Sequence, residues 1–352
     1  MSRSPARAGA ERRRAAAGQG SEAAATRCAY LGPKGTFCEQ AVAALHPAAD
    51  LETIPCGSIE ATFEAVRTGA AARAVVPIES SVEGGVSATI DELAVGDLLR
   101  IGAEVLIPVE FALLARPGTA LEDIKTVGGH PVAQPQCRHW LARNLPEAEW
   151  RPAPSNADAA RLVADGQVDA ALAGAFAAAE YGLAALVVPV SDNPYAVTRF
   201  VEIGPPGPLP YPTGRDRTSV IVPQLADDRP GGLMDLLSQF ATRGVNLTRI
   251  ESRPIGDGIG RYFFCIDCEG HVAQASVGEA LMGLHRISSE VRFLGSYARA
   301  AGPPPAPRPG AGLASAPTPG RRGRPGGQAG AYSDEAFAEA ASWLTRMRAG
   351  LG

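Results

Sequence analysis

Four polar, glycine-containing loops hold most of the side chains in this sequence that could do chemistry. In "YLGPKGTF" (residues 30–37) a strand passes through two glycines into a helix starting near Thr36. Free backbone N–H groups and the helix dipole can hold an anion there, although a plain strand-to-helix turn would look the same. The second loop, "VVPIESSVEGGVSATIDEL" (residues 75–93), offers Glu79, Ser80, Ser81 and Glu83 before the next helix. Its hydroxyls and amides suit a carboxylate or carbonyl, and a capping role for Ser80 or Ser81 is the plainer alternative. The third, "GGHPVAQPQCRHWL" (residues 128–141), carries His130 at a helix start, as cap, packing residue or catalyst, and Gln136 within the helix. The fourth, "SDNPYAVTRFVEIG" (residues 191–204), sets Thr198, Arg199 and Phe200 at the start of a strand. Neighbouring strand residues point to opposite faces, so Arg199 either meets a substrate carboxylate or forms a structural ion pair, while Phe200 reads as core.

What these loops lack narrows the chemistry. The Lys-Ser/Thr of a Walker loop does not follow the second glycine of "GPKG", and no Ser-His-Asp set, paired-carboxylate geometry or dinucleotide fingerprint is present. The reaction such loops support is light on acid–base groups. Cys265 and Cys268 lie in a strand-like run, where residues three apart face opposite sides, and no second Cys or His pair completes a metal site.

The elements around the loops must position them. From Arg27 to about Gly204 short β-branched runs alternate with Ala-rich helical stretches, the signature of α/β layering. "RCAYLG", "LETIPC", "RAVVPI" and "AEVLI" read as strands, "TFCEQAVAAL" and "SIEATFEAVRTG" as helices. A second alternation begins near Pro108 with "VEFALLA", "DIKTVGG", helices after His130 and Asn156, and the strand "VDAALAG". Two successive α/β lobes over residues 27–204 imply a ligand cleft between them. Residues 205–216 are too rich in Pro and Gly for a regular element and read as a linker. Residues 217–297 then follow a ferredoxin-like βαββαβ order, in which Leu233, Leu236, Leu237 and Phe240 form a helical core stripe that ends at Gly244.

The flanks differ. Residues 1–26 are arginine-bearing without an apolar stretch, so they read as a disordered leader and not as an export signal. Residues 298–330 collapse to Pro, Gly, Ala and Arg and read as a flexible tether. Residues 331–352 regain helical periodicity through Phe337, Leu344 and Met347, with Ser333 or Asp334 as N-cap. A net charge of -4 supplies no field for nucleic acid, no apolar run reaches membrane-spanning length, and six scattered cysteines suit reduced thiols in a cytoplasm.

In this order, "GPKGTF", "PIESSVEGGV", "HPVAQPQC", "TRF", "GGLMDLL" and "NLTRIESRP" resemble the prephenate dehydratase family across nearly all of residues 27–297. The resemblance implies a catalytic domain built like a periplasmic binding protein, then a regulatory ACT domain that binds L-phenylalanine. It implies decarboxylative dehydration of prephenate to phenylpyruvate without a cofactor. Thr198 would donate a hydrogen bond to the departing hydroxide, with Thr36, Ser80, Ser81, Gln136 and Arg199 as substrate contacts. Gly231, Gly232 and Leu233, together with Asn246, Leu247, Thr248, Glu251, Ser252, Arg253 and Pro254, match the two effector motifs. Because ACT units of this family pair side by side, a homodimer or homotetramer is expected. Arogenate in place of prephenate and a non-catalytic phenylalanine sensor are the competing readings. Two departures stand out: Ser80 occupies the position of the family's usual Asn, and Gly129 that of a Ser found in some members.

Overall fold

The computed structural model describes residues 27–48, 51–223, 231–255, 262–288 and 290–302, with Ser342 and Thr345 in helical conformation. The expected leader, most of the tether and the C-terminal positions Phe337, Leu344 and Met347 lie outside the described residues. The chain forms two compact units, Met1–Pro304 and Pro305–Gly352, and the elements below belong to the first.

Strands β1 (Arg27–Leu31), β2 (Glu52–Cys56), β3 (Arg73–Ser80), the two-residue β4 (Gly84–Gly85) and β5 (Arg100–Pro108) build the first lobe. Its sheet runs β2-β1-β3, then the later strand β11 (Val197–Gly204), then β5, with β4 hydrogen-bonded to β3. β1 pairs in parallel with β2 and β3, whereas β11 lies antiparallel between β3 and β5. The near-continuous apolar run "RAVVPI" suits β3, a central strand covered on both faces. Helices Phe37–Leu45 and Ile59–Arg67 cover the sheet, each starting at a side-chain N-cap, Thr36 and Ser58. Such caps contribute about 1 kcal/mol each.

Strands β6 (Ala112–Ala115), β7 (Thr126–Gly129), β8 (Glu149–Pro152), β9 (Ala170–Ala173) and β10 (Ala184–Val187) form the second lobe, ordered β10-β6-β9-β7-β8. "ALLA" and "AALA" are wholly buried although alanine is a poor strand former. Their small side chains let the helix Asn156–Ala164 sit close through Ala157, Ala159 and Ala160, so packing overrides propensity. β8 and β10 carry no apolar alternation strong enough to announce them in the sequence.

After the irregular residues 205–215 come β12 (Asp216–Pro223), helix Gly232–Ala241, β13 (Leu247–Pro254), β14 (Tyr262–Glu269), helix Ala275–Ile287 and β15 (Arg292–Ala298). The sheet order is β13-β14-β12-β15, all antiparallel, the ferredoxin-like arrangement. Leu236 and Phe240 are buried as expected, but Leu233 is 44% exposed. It sits in the first helical turn, ahead of the stretch that covers the sheet. Cys265 and Cys268 face opposite cores, as their spacing requires. Among the described residues no group of three His, Cys, Asp or Glu could hold a metal, and no helix is long and apolar enough to cross a membrane.

Beyond the linker, the C-terminal sheet packs directly on the first lobe. Val76, Ile78, Ile101 and Val201 of the first lobe share one hydrophobic core with Ile221, Phe263, Cys265 and Tyr297. At the contact, Gly295 has φ 143° and a Cβ there would lie 2.3 Å from the Ile101 carbonyl oxygen, so only glycine allows this approach.

Candidate active site

A cleft of about 430 Å³ lies between the lobes, in the usual range for a small-molecule site. β11 and β3 provide its floor. Their antiparallel register sets Thr198 opposite Ser80 and Arg199 opposite Glu79. Thr198 and Ser80 both line the cleft. The next pair turns the other way, as alternation demands.

Two helix N-termini point into this space, one from each lobe. Thr36, Phe37 and Cys38 open the helix Phe37–Leu45, and Ser155, Asn156 and Ala157 open the helix Asn156–Ala164. The hydroxyl of Thr36 is already engaged: it donates to the Leu31 carbonyl at 3.0 Å and accepts from the Glu39 N–H. Thr36 therefore offers the cleft its end of the helix and not its hydroxyl. Among the described lining residues there is no Lys or Arg and one carboxylate, the exposed Glu83 at the rim, so fixed backbone dipoles are the source of positive potential. Leu31, Val86, Val109 and Phe200 make the walls apolar. Phe37 bridges the lobes, meeting Phe111 edge-on at 5.9 Å and Phe176 at 5.3 Å. The Tyr181 hydroxyl also crosses, donating to the Lys34 carbonyl at 2.7 Å.

His130 lines the cleft, and its Nδ1 accepts a hydrogen bond from the Val132 N–H at 3.3 Å. That acceptor role puts the proton of the neutral ring on Nε2, and burial pushes the imidazole pKa down, favouring the neutral form. The backbone N–H of His130 donates to Asn156 Oδ1 at 2.9 Å, which ties the histidine loop to the second helix start. Gln136 also lines the cleft, its Nε2 donating to the Val132 carbonyl at 3.1 Å. Ser80 closes its own turn, with Oγ accepting from Val82 N–H and Glu83 N–H at 3.2 and 3.3 Å.

Ser81 and Arg199 fall outside the lining. Ser81 grips Val197 twice, donating its N–H to the carbonyl and accepting the Val197 N–H at Oγ, and so fixes the residue before Thr198. Arg199 is 3% exposed on the far side of the sheet, where it pairs with Glu79, Glu104 and Asp267. Of the two readings open in the sequence, the structural ion pair is the one formed. Asn156 and the Phe37 aromatic bridge carried no sequence signal beyond a helix start and an ordinary apolar residue.

The effector-motif residues divide in the same alternating way. Gly231 takes a left-handed conformation before the helix Gly232–Ala241, and Leu233 and Met234 are exposed there. Asn246 precedes β13, which is an edge strand. Along β13, Leu247, Arg249, Glu251 and Arg253 are partly buried, while Thr248, Ile250, Ser252 and Pro254 are exposed.

A two-lobed α/β domain with helix N-termini facing an interlobe cleft, fused to a ferredoxin-like domain, is the class of protein these features define. The sequence matches the family model for prephenate dehydratase over residues 28–207 and that for the ACT domain over residues 219–286. It is 48% identical to a prephenate dehydratase of Mycobacterium marinum, over 80% of this chain and 92% of that protein. The crystal structure of a prephenate dehydratase from Arthrobacter aurescens in complex with L-Phe is 46% identical, with a TM-score of 0.74 over 91% of this chain and 99% of that one. A structure described as a novel type of quorum quenching acylase is 30% identical, with a TM-score of 0.70 over 77% of this chain and 97% of that one. The chain belongs to the prephenate dehydratase family.

Proposed function

We propose that this protein is a prephenate dehydratase that uses Thr198 to assist departure of the ring hydroxyl and is regulated by L-phenylalanine through its C-terminal domain. Prephenate loses its ring carboxylate as carbon dioxide. The electron pair of that C–C bond moves into the ring and expels the C4 oxygen, which leaves as water after gaining one proton. Aromatisation drives the reaction, so the protein has to bind a dianion, exclude water and stabilise the leaving oxygen. The apolar walls meet the ring, and the two helix N-termini suit one carboxylate each.

Thr198 donates its hydroxyl hydrogen bond to the leaving oxygen. Its alcohol is too weak an acid to surrender the proton outright, so the proton is relayed. Gln136 and Ser80 supply polar contacts to the substrate, the Nε2–H of neutral His130 supplies a donor, and Thr36 contributes its end of the helix. The observation that carries the catalytic reading is the Thr198–Ser80 pair on the cleft floor between two helix N-termini. L-Phenylalanine binds at Gly231 to Leu233 and along Asn246 to Pro254. The exposed edge β13 pairs two copies, making at least a homodimer in the cytoplasm.

The test offers purified protein prephenate, arogenate or an N-acyl amide and follows phenylpyruvate absorbance, phenylalanine formation or amide cleavage. Prephenate is expected to turn over fastest. Thr198→Ala is expected to lose about 10²–10⁴ in kcat, the usual size of a general-acid contribution. Full activity in that variant rejects the assignment, and a flat response to L-phenylalanine in rate, assembly and heat stability rejects the regulatory half.

A further inference from the structure

Behind the cleft floor a single carboxylate collects contacts from both domains. Asp267 on β14 is fully buried. It accepts from Arg199 Nη2 at 2.5 Å, Arg249 Nε at 3.0 Å, Arg217 Nη1 at 3.5 Å and Ser219 Oγ at 2.6 Å. Arg199 belongs to the catalytic domain, and its remaining nitrogens are spent on Glu79 and Glu104, each at 3.0 Å. Arg249 belongs to the effector-motif strand β13 and also holds Glu251 at 2.9 Å.

Two more side chains of β13 lean on the cleft's surroundings. The Glu251 carboxylate packs against Gly85, where a Cβ would lie 1.9 Å from Oε2. Gly85 is itself a lining residue of the cleft. Arg253 forks onto Asp91 at 3.1 and 2.6 Å, in the helix Ser87–Ala94 that follows the same loop. The strand that carries the effector motif therefore exposes one set of alternate residues, while from the other set Arg253 bonds the catalytic lobe, Glu251 packs against it, and Arg249 reaches it through Asp267.

We propose that Asp267, although in the C-terminal domain, is a positioning residue for Thr198: it holds Arg199, and hence the start of β11, through the same carboxylate that anchors the effector-motif strand by Arg249. A shift of β13 changes the hold on Arg199, whose backbone is bonded directly to Thr198. The hold is stiff, because guanidinium-to-carboxylate contacts fix direction as well as distance. It acts on placement and not on substrate contact, since none of Arg199, Asp267 or Arg249 lines the cleft.

The inference rests on Thr198 as the catalytic residue, and its test separates the two. Asp267→Asn, Asp267→Glu and Ser219→Ala are compared with wild type by kcat and KM on prephenate and by amide hydrogen exchange with and without L-phenylalanine. Asp267→Asn is expected to lose about 10- to 100-fold in kcat, the scale set by misplacing a catalytic group by about 1 Å, with KM within about threefold. Asp267→Glu, which keeps the charge, is expected to recover part of that loss. Exchange in residues 197–204 is expected to accelerate while β6 and β9 of the second lobe keep their protection. Asp267→Asn leaves three guanidinium groups short of a partner; if it does not fold, Ser219→Ala decides, because it removes one hydroxyl and keeps every charge. Ser219→Ala is expected to show a smaller kcat loss of the same type and a weaker effect of L-phenylalanine on exchange in residues 197–204. Wild-type kcat and exchange in the folded variants, a loss seen only in KM, or uniformly faster exchange over the whole chain overturns the proposal. An inactive wild-type protein would instead sink the dehydratase reading, and the exchange pattern would still report whether Asp267 holds β11.

Discussion

Replacing Gly129 by Ser, the residue some family members carry at this position, probes how the histidine loop is held. Gly129 ends β7 directly before His130, and a Cβ there would sit 2.5 Å from Trp150 Cη2 and 3.3 Å from Cζ2. Carbon atoms pack best at about 3.5–4.0 Å, so the indole has to retreat by about 1 Å. Trp150 is partly buried and packed against the core of the second lobe, so that retreat gives up core contact. Overpacking of this kind costs about 1–3 kcal/mol, so Gly129→Ser is expected to lose about 2 kcal/mol and, by moving His130, to lower kcat/KM. Trp150→Val opens a cavity and destabilises by itself, but it also removes the clash. Denaturant unfolding and kcat/KM of wild type, both single variants and the double variant close the cycle. The serine is expected to cost about 1–2 kcal/mol less in the valine background than in wild type. Additivity within about 0.5 kcal/mol would refute the steric argument and leave the Gly129 departure without a cause.

Three further outcomes are expected. Ser80→Asn keeps the turn, since an Asn side chain accepts from the same two N–H groups, and it returns an amide to the cleft; KM for prephenate should fall, whereas Ser80→Ala should raise it severalfold, both read from saturation curves. Burial alone would push the Asp267 carboxyl up, but Arg199 and Arg249 hold it well below the usual carboxylate range. A depressed folded-state pKa gives stability that is present above about pH 4 and lost as pH falls further, so melting temperature should drop steeply below pH 4, and less steeply in Asp267→Asn. Burial lowers the His130 pKa from its ordinary 6.5, so its stabilising effect is present above that pH and fades below it; a ring-proton titration should place its midpoint on the acid side of 6.5.

The parts of this molecule legible in the sequence are those fixed by neighbours along the chain. Alternating β-branched and Ala-rich runs announced two α/β lobes, and the Leu236-Phe240 spacing announced the helix of the C-terminal sheet. The cleft residues Thr198 and Ser80 were legible through their loops and through family resemblance, and both line the cleft. Arg199 shows where such reading stops. Strand alternation leaves only a choice between substrate and ion pair, and its partners Glu104 and Asp267 lie 95 and 68 residues away. Asp267 itself reads as an ordinary polar residue in "FFCIDCEG", because nothing local signals that three arginines converge on it. Leu233 failed for the opposite reason: the helical stripe is real, but the sheet covers only part of it.

The route of the chain has a mechanical consequence. It leaves the first lobe at Pro108 and returns at Val197, and these two residues are partners in the β5–β11 ladder, with Val109 N–H bonded to the Ala196 carbonyl at 2.8 Å. The second lobe is thus an insertion carried on a two-stranded strap. The strap joins the lobes beside the cleft floor, and the Tyr181–Lys34 hydrogen bond and the Phe37 ring contacts tie them again at the far helix start. Thr198 lies one residue inside the end of that strap, so its position is set by the first-lobe sheet, between β3 and β5, while the opposite wall of the cleft belongs to the inserted lobe.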